Sequence, residues 1–192
     1  MSRAKTNHTP AIGRQGGFSL VELVVIVAVL AIVSSIALPS FRNMMRSNRL
    51  TATSNELNAV LQGARMDAIR INGRVDVCPS TSGTGCDGGN WQRLVVISRK
   101  NGANEVLRDV ALGGNDITIT PSSSISSSNV IWYQADGFVR TGSASSPTQV
   151  GTLSVCASGL PGNNARNVQV NMGRVSISRV ANAACNAPGD NG

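Results

Sequence analysis

One run of 21 residues, Phe18 to Leu38 ("FSLVELVVIVAVLAIVSSIAL"), constrains this chain more than any other feature, because its only ionisable member is Glu22. As a helix it extends about 32 Å at roughly 1.5 Å per residue, enough to cross a bilayer. Arg3, Lys5 and Arg14 precede it with no acid among them. A positive flank of this kind predicts a cytoplasmic N-terminus, with the residues after Pro39 on the outer side. Without residues 1–17 the chain keeps fourteen basic against ten acidic residues, so its formal charge falls from +7 to +4. That is a mild excess and a weak reason to expect nucleic acid. A secretory signal peptide cut near Ser35–Ala37 is the competing reading; the run is too long for one and contains an acid.

Glu22 requires a partner, since an ionised side chain in hydrocarbon costs several kcal/mol unless it is paired. No base follows it within the run. A cut between Gly17 and Phe18 creates an ammonium group that a neighbouring chain's Glu22 meets when helices pack side by side. These residues, "GG" before "FSLVELVVIVAVLAIV", resemble the class III signal of type IV pilins and type II secretion pseudopilins. The match lies in a glycine before the scissile bond, a phenylalanine after it and a glutamate at the fifth mature position. The resemblance implies a leader over 1–17, cleavage by a prepilin peptidase, N-methylation of Phe18, and a span over 18–38 that resides in inner-membrane lipid before entering a filament core. Pro39 lies where such stems bend, since proline lacks the N–H and disfavours a straight helix.

Over 39–72 the pattern stays helical but becomes amphipathic: Leu50, Leu57, Leu61, Ala64, Ala68 and Ile71 share a face, while Arg46, Arg49, Glu56, Gln62 and Asp67 mostly occupy others. Gly73 is expected to supply the left-handed residue that ends the helix. From 73 to 192 the chain reads as seven or eight strands, with turns at Ala135–Gly137 and Asn171–Gly173 and a serine-rich surface loop over Pro121–Asn129. Sequential strands without interleaved helices predict an α+β fold, a long N-terminal helix packed on an antiparallel β-sandwich or β-roll. Together with "YQADGFVRTG" and "ARNVQVNMGRVSIS", this arrangement resembles the GspH/FimT family: H-type pseudopilins and FimT/FimU-type minor pilins, with a type IV pilin-like fold and a β-rich periplasmic domain.

Cys78, Cys86, Cys156 and Cys185 all follow the apolar run, where an oxidising compartment favours disulfides. Three connectivities stay open. Cys78 with Cys86 closes a glycine-rich loop, and Cys156 with Cys185 pins the C-terminal tail; that pairing is preferred. The only histidine, His8, lies in the leader, so neither a metal nor a cofactor is expected, and no set of residues with catalytic roles is evident. The family resemblance implies a structural subunit that primes or caps a pilus or secretion pseudopilus, with other minor pilins or pseudopilins and the major subunit as partners. Disulfide-capable cysteines favour the pilus. The alternative is a DNA receptor in natural transformation. The FimT-like branch carries a "GRxR" motif for this, and here Gly173-Arg174-Val175-Ser176 lacks the second arginine, with Arg179 three residues late. Arg140, Arg166, Arg174 and Arg179 are the candidate phosphate contacts, opposed after Gly137 only by Asp190.

Overall fold

The computed structural model describes residues 17–102 and 104–191, so the leader bases Arg3, Lys5 and Arg14 and His8 lie outside the described residues. The chain divides into two compact units after Ser40. Helix α1, Leu20–Ile71, contributes to both and keeps Pro39 inside it. In the first unit every described side chain is exposed, Phe18 by 77%. Its helical hydrogen bonding starts where Leu23 N donates to Ser19 O at 3.1 Å, which places Glu22 in the first turn, the end of the helix dipole that favours an acid.

In the second unit α1 is amphipathic. Leu50, Leu57, Val60, Leu61, Ala64 and Ala68 are buried on one face because their spacing returns them to the same side every one or two turns. Asn72 takes the left-handed conformation (φ 49°), correcting the expectation for Gly73. Gly73 N donates to Ala68 O at 3.1 Å and Asn72 N to Ile69 O at 3.2 Å. This is the paired closure of a Schellman motif, in which the residue one place earlier carries the positive φ and asparagine tolerates it.

Ten strands follow among the described residues, all antiparallel: β1 (Val75–Pro79), β2 (Arg93–Ser98), β3 (Glu105–Ala111), β4 (Thr118–Pro121), β5 (Ile131–Tyr133), β6 (Val139–Ser143), β7 (Ser146–Thr148), β8 (Val150–Cys156), β9 (Ala165–Asn171) and β10 (Arg174–Val180). One sheet runs β3-β2-β1-β5-β6-β7 and the other β10-β9-β8-β4. The inner residues of both, Val75, Val77, Leu94, Val96 and Tyr133 from the first and Leu153, Val155, Val168 and Val170 from the second, join the apolar face of α1 in one core. Each fully buried Leu or Val in it contributes roughly 1.5–3 kcal/mol by leaving water.

Two further readings are corrected. The serine-rich segment is not a plain surface loop: helix α2, Ser123–Ser126, forms there and buries Ile125 completely. Strand β7 has no sequence signal, since Ser146-Pro147-Thr148 has low strand propensity; it forms as an exposed edge strand, a position that tolerates proline.

Candidate functional site

Three groups of residues bear on function, and they lie on different parts of the chain. The first is the exposed apolar stretch with Gly17, Phe18 and Glu22. A Cβ added at Gly17 would meet nothing within 4 Å, so packing within the described residues does not require glycine there.

The second comprises the arginines. Arg140 on β6 donates Nη2 to Asp136 at 2.9 Å, a carboxylate just outside the stretch counted after Gly137. Arg166 on β9 is 7% exposed, and its Nη1 donates to the carbonyls of Asn163 and Ala165 at 3.1 and 2.9 Å. Arg174 and Arg179 are exposed near opposite ends of β10, about 17 Å apart at roughly 3.4 Å per residue. Arg166 and Arg179 are directly opposite in the β9–β10 ladder, and no other pair of the four is. The four candidate contacts therefore do not form one patch, because strand register separates them. Arg108 on β3 bonds Asp67 of α1 at 2.6 Å, while its neighbour Asp109 bonds Arg93 at 2.7 Å.

Arg65 links the two hairpin turns, a role invisible in the sequence. Its Nε donates to Gly137 O at 2.9 Å, and Val139 N donates to Met172 O at 2.5 Å. In the second turn Met172 carries the positive φ (55°). Gly173 is needed for close approach instead, since a Cβ there would sit 3.1 Å from Gly137 O and 3.2 Å from an Arg65 nitrogen.

The third group comprises the cysteine loops. Cys78 is joined to Cys86 and Cys156 to Cys185, each pair with Cα atoms 5.5 Å apart. Just after the first loop closes, the Asp87 carboxylate accepts from three of its residues, Ser80 Oγ (2.9 Å), Thr81 N (2.7 Å) and Ser82 N (3.0 Å). Hydrogen bonds from Ser82 and Thr81 hold its pKa well below the usual carboxylate range. Beside the same sheet the 2% exposed Asp76 binds both Arg74 (2.6 Å) and Arg99 (2.8 Å), and Arg74 stacks over Trp132 at 4.7 Å. An acid between Val75 and Val77 was the available signal for this buried pair of bonds. In the tail, the Asp190 carboxylate accepts from Ser123 Oγ (3.1 Å) and Ser124 N (3.0 Å) at the start of α2. Burial raises its pKa, and hydrogen bonds from Ser122, Ser124 and Ser123 outweigh that and bring it to about 2. Among the described residues no group of histidine, cysteine, aspartate or glutamate has metal-site geometry.

Comparison with known proteins agrees with this architecture. Residues 53–174 match the family model described as type II transport protein GspH, and residues 12–38 match the prokaryotic N-terminal methylation motif. The type IV major alpha-pilin of Moraxella bovis is 33% identical over 70 residues, covering 36% of this chain and 43% of that pilin, so the match spans less than half of the relative. Prepilin peptidase-dependent protein D of Escherichia coli is 28% identical over 109 residues, 56% of this chain and 73% of that protein. Among solved structures, the type IV minor pilin FimU of Pseudomonas aeruginosa superposes with a TM-score of 0.53 at 20% identity, covering 70% of this chain and 92% of FimU, a likeness of fold. The GspH model covers well over half of the chain and the methylation motif precedes it at the N-terminus: the chain belongs to the GspH family of minor pilins and pseudopilins.

Proposed function

We propose that this chain is a minor filament subunit, released from its 1–17 leader by prepilin peptidase, N-methylated at Phe18, and positioned to prime or cap a type IV pilus or a type II secretion pseudopilus. One observation carries this reading. The core of the second unit is built entirely from residues after Phe41, yet the chain also presents an exposed apolar helix from Leu20 onward with a single carboxylate in its first turn. Such a surface needs lipid or other helices to cover it. In the membrane the span holds its N-terminus cytoplasmic and the β-rich region periplasmic. In the filament, Glu22 meets the Phe18 ammonium of a neighbour, and Pro39 is the place where the stem yields. Gly17, which packing does not require, is then read by the peptidase. Other pilins or pseudopilins and the major subunit are the partners. A DNA-receptor role draws no support from Arg140, Arg166, Arg174 and Arg179, which are paired, buried or apart.

Intact mass of the membrane-extracted chain tests this: it should begin at N-methylated Phe18, and a soluble product beginning near Leu38 would establish a secreted protein instead. Glu22→Ala should be processed normally yet lose in competition with wild type for incorporation; equal incorporation removes the charge-pairing explanation.

A further inference from the structure

Arg166 stands on the core-facing side of β9, on the parity of Val168 and Val170. Its Nη1 bonds only backbone carbonyls, and directly opposite on β10 is Arg179. Strand β10 continues to Val180, so Arg179 keeps the parity of Val175 and Ile177, but at this end of the strand its side chain is exposed. Among the described residues no carboxylate lies within salt-bridge distance of either arginine. Like charges directly opposite destabilise a ladder, and a buried cation without a counter-charge is costly. Burial, and then the charge of Arg179, hold the Arg166 pKa below its ordinary value.

Both arginines line a cavity of about 220 Å³ whose other walls are Thr51, Ser54 and Asn55 of α1 and Ile177 of β10. The Thr51 and Ser54 hydroxyls donate to Ser47 O (3.0 Å) and Leu50 O (2.7 Å) within the helix, which leaves the two guanidiniums and the Asn55 amide as the donors facing the cavity. Two planar donor forks around one small space match a carboxylate, which accepts bidentate bonds. The volume lies below the roughly 300 Å³ at which small-molecule pockets begin and suits the end of one acidic side chain.

We propose that this cavity binds one carboxylate, carried by an acidic side chain of an adjacent filament subunit. The source of the carboxylate rests on the filament reading above; the cavity's preference for a carboxylate does not.

Acetate serves as the probe. The full chain in detergent micelles at neutral pH should unfold about 2–4 °C higher in sodium acetate than in sodium chloride of equal ionic strength, as expected when acetate exceeds its Kd roughly fivefold. Arg174→Gln, outside the cavity, should gain as much as wild type, and Arg179→Gln should gain nothing. Equal midpoints of wild type in the two salts, or an equal gain by Arg179→Gln, overturns the site. In cells, Arg179→Gln should be processed normally but recovered in sheared filaments at a lower level than wild type; an equal level overturns the neighbouring subunit as the source. Absence of the wild-type chain itself from filaments overturns the filament reading, and with it that source, while the acetate comparison still decides the cavity.

Discussion

Gly151 on β8 and Ile125 on α2 compete for one volume, which makes a double substitution informative. A methyl group on Gly151 would sit 2.7 Å from Ile125 Cγ1, 2.9 Å from its Cδ1 and 3.1 Å from Ser124 Oγ. Gly151 does not have a positive φ, so an alanine there meets no backbone strain and its cost is steric. Overpacking of this kind costs about 1–3 kcal/mol. Ile125 is fully buried, and Ile125→Ala should cost about 3 kcal/mol, within the usual range of roughly 2–5 for such truncations. In the double variant the new methyl group occupies space that Ile125 has vacated. The two costs should then fall short of additivity by at least about 1 kcal/mol. Urea unfolding of Phe41–Gly192 with both disulfides intact is the assay, because this unit holds every buried residue among those described. A cost of about 2 kcal/mol moves the midpoint by roughly 1 M at ordinary urea slopes. Additivity within about 0.5 kcal/mol, or a neutral Gly151→Ala, would refute the claim that these two side chains share a space.

The two disulfides close loops of different length, with sequence separations of 29 and 8. Chain entropy predicts that replacing Cys156 and Cys185 by serine costs about 3.6 kcal/mol and replacing Cys78 and Cys86 about 2.5, an order that denaturant midpoints can check. The Asp190 pKa lies below its ordinary value, so its contribution to stability is complete above that value and is lost as the pH falls from about 4 towards about 2. The thermal midpoints of wild type and Asp190→Asn should therefore differ at pH 6 and converge across that interval; a constant difference would exclude the carboxylate bonds as its cause. Arg65→Ala should cost about 1 kcal/mol and speed hydrogen exchange at the Val139 amide, since the turns that Arg65 links hold the Val139–Met172 bond. Unchanged exchange would show that the turns hold each other without it.

What could be read from the sequence was what depends on periodicity. The apolar spacing from Leu50 to Ala68 specifies a helix face, and alternation in Val168/Val170 and Val175/Ile177 specifies strands, because burial on one side needs only local order. Features that depend on a distant residue were not legible. Ile125 looks like one apolar residue among serines until β8 presents a glycine opposite it. Gly73 has the composition of a helix stop, yet Asn72 takes the strained conformation and Gly73 supplies the second closing hydrogen bond. Asp136 stands immediately before Gly137, outside the C-terminal stretch whose only acid is Asp190, and it neutralises Arg140.

Charge illustrates the same limit at larger scale. The chain carries an excess of basic residues, and a linear count assigns it to whichever segment holds the arginines. Folding redistributes it: Arg49 pairs with Asp116, Arg93 with Asp109, Arg108 with Asp67, Arg140 with Asp136, and Arg74 and Arg99 share Asp76. Arg174 and Arg179 have no carboxylate partner among the described residues, and they stand about 17 Å apart along β10. That is twice the screening length of about 8 Å at physiological ionic strength, so each acts on a passing polyanion as a single charge. A phosphate contact at either one contributes a salt slope of about one, the behaviour of an ordinary basic surface. The place where folding does bring two positive charges together is the Arg166–Arg179 pair of the β9–β10 ladder, one side chain buried and the other exposed. The space beside that pair, about 220 Å³, has room for a single carboxylate.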